Sequence, residues 1–179
     1  MSLSATGCRK KGIAGTIPAP ASKDILCLSG EVGAAYMGQH VLEREKGAFL
    51  AAGSEHAKQP DLSKYKFLLA EYLCPQLPSN SIERFEAEKI YPSAGIFVTR
   101  GLADAVHHLA AGCGLGAKIY LDKIPIASQT FQMAEEIKID PVTAALNGGD
   151  DYRILFALTI SCFETRHKEI QTFAVIGHL

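Results

Sequence analysis

Apolar residues in this chain recur at two spacings, and the switches between them mark out the elements. Asp24 to Ser29 encloses a short unbroken apolar run, Ile25 to Leu28, the pattern of a buried strand. After Gly30-Glu-Val-Gly33 the spacing lengthens. Ala34, Met37, Val41, Leu42 and Phe49 then share one face of a helix reaching Ala52, with Glu43, Arg44, Glu45 and Lys46 left to solvent. Leu62 to Leu73 repeats the helical spacing through Tyr65, Leu68, Leu69 and Tyr72, and Pro75 and Pro78 stop it. Ser81 to Lys89 is a weaker helix. Gly95 to Thr99 is a β-branched and aromatic strand, and Gly101 to Ala111 a helix with Leu102, Val106 and Leu109 inward. Ala117 to Leu121 predicts a strand. Gln129 to Lys138 predicts a helix capped by Ser128, and Pro141 to Leu146 a short helix with proline in its first turn. Tyr152 to Ala157 is a strand, Ser161 to Gln171 a helix and Phe173 to Ile176 a last strand. Ser2 to Thr6 reads as the tail of another strand, and residues 9–23, basic and then rich in Gly, Pro and Ala, as a loop. Strands alternating with helices predict an α+β domain: a mixed β-sheet covered by helices in α/β/α layers.

Composition adds mostly exclusions. The 179 residues suffice for a domain with a real core, and 47% apolar with 21% charged residues is ordinary for a globular protein. Eighteen basic against 19 acidic side chains give no field that would draw in nucleic acid or an anionic membrane. No apolar run is long enough for a bilayer, and Arg9-Lys10-Lys11 interrupts the start before a signal-peptide core can form. A cytoplasmic protein is expected. Its five cysteines lie far apart, none in a C-x-x-C pair, which predicts reduced thiols rather than disulfides or zinc.

One stretch carries candidate chemistry. In Asn147-Gly-Gly-Asp-Asp-Tyr152 a glycine turn places Asp150 and Asp151 at the lip of a core strand. They are either a ligand-binding pair or plain turn acids. Gly30 and Gly33 open a helix and suit either a phosphate cradle or an ordinary strand-to-helix turn.

Asp24 to Gly38 (DILCLSGEVGAAYMG), Leu42 to Lys46 and Ala144 to Tyr152 (AALNGGDDY) resemble the C-terminal domain of thiamine-monophosphate kinases, in the aminoimidazole-ribonucleotide-synthetase-like superfamily. Tyr65 to Leu69, Lys123 to Ile126 and Ile176 to His178 support it in the same order. The resemblance implies residues 24–179 as that domain and residues 1–23 as the end of a first domain otherwise missing. It implies transfer of the terminal phosphate of ATP to thiamine monophosphate with Mg²⁺ and, from the way the family dimerises, a homodimer; nucleic acid and membrane are excluded as partners by the charge balance and hydropathy above. Phosphoryl transfer is largely positioning and charge neutralisation, hence the family's many aspartates.

Several of those positions differ here. Asp150 stands where the family has a substrate-contacting glutamate, and Asp151 matches the aspartate that follows; both are expected on the substrate side. In the family's Ile-Asp-Ile-Ser-Asp-Gly-Leu strand the aspartates reach Mg²⁺ and the serine the nucleotide. The matching residues are Ile96, Phe97, Val98, Thr99, Arg100, Gly101 and Leu102. Thr99 and Arg100 are therefore the nucleotide-side candidates. Arg100 reads either as a phosphate fork or, the preferred reading, as a solvated side chain. Phe97 is expected to be buried in the space an aspartate and its metal would need. Ile17 replaces a nucleotide-binding arginine. The expectation is a half-site that does not turn over alone; a non-catalytic thiamine-phosphate or nucleotide binding module and a structural domain are the alternatives.

Overall fold

The computed structural model describes Ser4, Thr6, residues 17–52 and residues 60–179. The strand expected over Ser2 to Thr6 lies largely outside the described residues. From residue 17 the elements run β1 (Ile25–Leu28), α1 (Ala34–Ala52), α2 (Lys66–Leu73), α3 (Ser79–Ala87), β2 (Ala94–Val98), α4 (Leu102–Cys113), β3 (Lys118–Ile119), α5 (Ser128–Ile137), α6 (Pro141–Asn147), β4 (Arg153–Leu158), α7 (Ile160–Thr165), α8 (His167–Ile170) and β5 (Ala174–His178).

The five strands form one sheet in the order β2-β4-β1-β5-β3. Every pairing is antiparallel, where a mixed sheet was expected; the α+β class holds. β1 is central because it is apolar throughout and both its edges are used. Asp24, buried at its start, accepts hydrogen bonds from the Ser93 hydroxyl at 2.5 Å and the Ala21 N–H at 3.1 Å. That satisfies a carboxylate that would otherwise be costly to enclose.

Helices cover both faces, as the layering predicted. Leu26, Leu28, Val98, Leu155, Ala157 and Ile176 face Leu102, Ala105 and Leu109 of α4 and Ala145 of α6. On the other face Cys27, Ile154, Phe156 and Leu158 meet Phe85 of α3, Ile170 of α8 and Phe173. The Phe85, Phe156 and Phe173 rings lie 4.9 to 5.6 Å apart, the geometry of favourable aromatic packing. A third cluster joins Met37 and Val41 of α1 to Leu68 of α2, Met133 of α5 and Ala144 of α6.

Local chemistry moves some boundaries. The Asp61 carboxylate accepts from the Ser63 N–H at 2.9 Å, so the Leu62 helix opens with a tight turn before α2. Ser128 is the first residue of α5 rather than its cap; Ala127 occupies the cap position. Asp140 does cap α6, accepting from the Thr143 N–H at 2.8 Å. The helix expected over Ser161 to Gln171 breaks at Arg166. There the Thr165 hydroxyl bonds back to the Ser161 carbonyl at 2.7 Å, a contact that bends helices. β3 shrinks to two residues because a helical turn over Leu121–Lys123 follows it. Among the described residues no helix is long and apolar enough to cross a membrane.

Candidate functional site

Two turns meet at one end of the sheet: the one joining β2 to α4, through Thr99, Arg100 and Gly101, and the one joining α6 to β4, through Gly148 to Tyr152. The register of β2 against β4, ending at Val98 opposite Arg153, brings them together. Beyond it the Asp150 N–H donates to the Thr99 carbonyl and the Tyr152 N–H to the Val98 carbonyl, both at 2.9 Å.

The contact is backbone on backbone, and glycine makes it so. A Cβ at Gly149 would lie 2.8 Å from the Thr99 carbonyl oxygen; one at Gly101 would lie 2.9 Å from Asn147 Cα. Gly148 has Tyr36 of α1 against it, with Cγ at 2.9 Å from where its Cβ would be. The turn is thus enclosed on three sides, and its backbone is strained. Gly149 is at φ +76, and Asp150 and Tyr152 hold φ +58 and +51 without being glycine. Left-handed non-glycine residues cluster where surrounding structure imposes them, and often at functional sites.

Asp150, Thr99 and Arg100, three of the four sequence candidates, gather on this exposed lip. Asp150 accepts a long hydrogen bond, 3.4 Å, from the Tyr152 hydroxyl. The Arg100 side chain is 69% exposed, and its Nε donates to Asp104 at 3.2 Å. His108, one turn on, places Nε2 3.5 Å from the Arg100 guanidinium and Nδ1 2.9 Å from the Asp104 carbonyl. Arg100 is exposed at the rim, bonded to Asp104 of α4.

Asp151 is placed differently. It is 2% exposed, and its Oδ1 accepts from the Gly33 N–H at 2.9 Å. Its Oδ2 is enclosed and meets no hydrogen-bond donor among the described residues. This carboxyl is pushed up to about 7: burial raises it most, the Gly33 N–H, Arg153 and the Ala35 N–H offset part of that, and Glu71 adds to the rise. Gly33 opens α1, so the helix start considered as a phosphate cradle already receives the chain's own carboxyl.

Phe97 corrects another expectation. It is 46% exposed because it sits on the thinly covered face of β2, whereas Val98 beside it points to the opposite face and is fully buried. With Phe85, Gly95, Ile154 and Phe156 it lines a shallow apolar hollow of about 200 Å³. It does not fill the space beside Asp150.

Sequence reasoning missed Arg153. Its guanidinium reaches Glu71 on α2 at 2.6 Å, the Glu31 carbonyl at 3.1 Å and the Gln76 carbonyl at 3.3 Å, with both side chains under one-fifth exposed. The signal was a cation at the start of an otherwise apolar strand run. This clamp holds the first residue of β4 to the layer behind it.

The donors do not make a magnesium site by themselves. Thr99 and Asp150 offer one hydroxyl and one carboxylate, and Phe97 and Arg100 offer nothing a hard cation takes. Among the described residues no three His, Cys, Asp or Glu side chains are grouped to hold an ion.

No protein-family model matches the chain. Two curated relatives do, both thiamine-monophosphate kinases. The one from Aquifex aeolicus is 29% identical over 79 residues, 44% of this chain and 26% of its own length. The one from Methanopyrus kandleri is 32% identical over 65 residues, 36% of this chain and 21% of its own. Among solved structures, AaThiL complexed with AMPPCP and TMP is 21% identical, with 89% of this chain covered, 46% of that chain covered and a TM-score of 0.72. Thiamine-monophosphate kinase from Stenotrophomonas maltophilia is 23% identical, with 91% and 49% covered and a TM-score of 0.69. E. coli HypE, a hydrogenase maturation protein, superposes with a TM-score of 0.58 at 20% identity, over 88% of this chain and 44% of its own. The chain spans about half the length of the solved kinases it matches. The sequence matches bear out the resemblance to thiamine-monophosphate kinases, and the structures show that the chain shares a fold with half of those kinases. HypE carries the same fold under a different description, so the fold alone does not fix the activity.

Proposed function

We propose, from the premise that this chain resembles one half of a thiamine-monophosphate kinase, that its lip of Asp150, Thr99 and Arg100 is the ligand-facing half of a site for thiamine monophosphate and ATP. The observation that supports it most is the strained, glycine-packed junction that holds Asp150 against Thr99. A turn acid of no consequence would not need three left-handed residues in four. Asp150 takes the substrate side, where a carboxylate accepts hydrogen bonds from an amino or hydroxyl group. Thr99 and Arg100 take the nucleotide side, where a hydroxyl and a guanidinium donate to phosphate oxygens. Asp151 supports the substrate side through the turn.

The isolated chain is proposed to bind without turning over. Phe97 and Arg100 replace carboxylates that would hold Mg²⁺, so no transfer step is drawn through the ion. Residues 24–179 as the synthetase-like domain, a homodimer and a cytoplasmic setting belong to the same reading.

Calorimetry with thiamine monophosphate tests it. Heat is expected with the native chain and should disappear in Asp150→Ala. A coupled assay for thiamine diphosphate should show no product from this chain alone. Absence of heat refutes the binding role; turnover refutes the half-site.

A further inference from the structure

We propose that Asp151 is a positioning residue: a buried, ionisable clasp that ties the Gly148–Asp150 turn to the first turn of α1 and lets pH govern how firmly Asp150 is presented. The proposal rests on the reading of Asp150 as a ligand contact, and it separates two adjacent carboxylates by what they can touch. Asp150 is exposed and Asp151 is not. A group at 2% exposure, with one oxygen already on the Gly33 N–H, reaches no ligand directly.

The clasp is the third restraint on a strained segment. The hydrogen bonds from the Asp150 and Tyr152 N–H groups tie the segment to β2. Among the described residues the Asp151 side chain is the hydrogen-bonded tie to α1, beside the packing of Tyr36 on Gly148, and Gly33, its partner, is itself left-handed at φ +87 and packed on Ala145 of α6. Release of that bond leaves the α1 side of the segment held by packing alone.

The free oxygen makes the clasp conditional. Oδ2 is enclosed without a partner, which an uncharged carboxyl tolerates and a carboxylate tolerates poorly. The charged groups acting on it are Arg153 from β4 and Glu71 from α2, and these are bonded to one another at 2.6 Å. From α1 it meets the Gly33 and Ala35 amides, and α6 contributes alanines packed on Gly33. Because burial outweighs these stabilising contacts, ionisation favours any state in which Oδ2 reaches water. Opening of the 148–151 turn provides that state.

Three measurements on the full chain test it. The carboxyl carbon of Asp151, followed by ¹³C NMR, should titrate near 7. Exchange protection of the Gly33 amide, corrected for intrinsic rate, should fall by about tenfold or more from pH 6 to 8.5, tenfold being one unit of pKa. Asp150-dependent heat from thiamine monophosphate should weaken in step. In Asp151→Asn, which keeps an acceptor for Gly33 but cannot ionise, protection and heat should stay level with pH. A midpoint near the ordinary carboxylate value, or Gly33 protection equally level in the native chain, overturns the proposal and leaves Asp151 a static cap. Should Asp151→Asn fail to fold, the native titration and exchange still decide. Should thiamine monophosphate give no heat at any pH, the proposed function fails while the Gly33 amide still reports on the clasp.

Discussion

Gly101→Ala is the substitution that most directly tests the junction on which the site rests. Gly101 holds φ +96 and ψ 158, a region open essentially to glycine alone, and forcing another residue there costs about 1–3 kcal/mol. The new methyl would also point into backbone: Asn147 Cα at 2.9 Å, its carbonyl carbon at 3.0 Å, and the Leu146 carbonyl oxygen closer still. Overpacking of that kind adds about 1–3 kcal/mol, so the sum is about 2–6 kcal/mol. The natural control is Gly112, on the same helix and with nothing within 4 Å of its Cβ position. Gly112→Ala should stabilise by up to about 1 kcal/mol through helix propensity. Urea unfolding of both variants, with the m-value checked for two-state behaviour, reads the difference. A Gly101→Ala protein within about 1 kcal/mol of native, or two variants shifted in the same direction, would refute the close approach of the β2–α4 and α6–β4 turns.

Further outcomes follow from other contacts. Arg153→Leu should lose about 2–4 kcal/mol by stranding Glu71 in a largely buried setting, and adding Glu71→Leu should restore part of it; additive losses in a double-mutant cycle would show the pair is uncoupled. Cys27 is buried and its thiol pushed up to about 12, first by burial and then by nearby Cys162. A thiol reagent at pH 8 should therefore modify exposed Cys74 and spare Cys27 until the chain unfolds; prompt labelling of Cys27 would contradict its burial. The Asp151 carboxyl is raised in the folded state, so its contribution to stability is complete below about 3.8 and is lost as pH rises through about 7. Three units amount to at most about 4 kcal/mol, and native stability minus that of Asp151→Asn should decline across this window; a level difference would refute it.

Much of the fold was legible because most segments follow one period cleanly. Ala34, Met37 and Val41 are buried as their helical spacing required, and the apolar runs of β1 and β4 lie in the middle of the sheet. The rest depended on partners that are remote in sequence. Nothing within Gly95 to Thr99 says which face of β2 is packed by helices, and that decides why Val98 is fully buried while Phe97 is exposed. Asp150 and Asp151 are adjacent and alike in type. Their opposite fates come from Gly33, 118 residues away, whose N–H meets one of them. Arg153 could be suspected from its place in an apolar run, but its partner Glu71 could not be chosen from the acids of α2 and α3 by spacing. The proximity of Thr99 and Asp150 entered only through family resemblance, since it arises from strand register.

The sheet order has a consequence for how the chain is made. Among the described strands β1 is made first, yet both its neighbours, β4 and β5, are made last but one and last, with Ile25 lying opposite Leu158 on one side and His178 on the other. Its apolar residues therefore wait until Leu158 and His178 have been made for strands that do not yet exist. The helical cluster around α1 and α2 can close early because its contacts are local, whereas the sheet cannot. During that interval Leu26, Cys27 and Leu28 form a short β-prone segment exposed to other nascent chains, which makes yield at slow translation or high temperature a matter of holding β1 apart until β4 and β5 arrive.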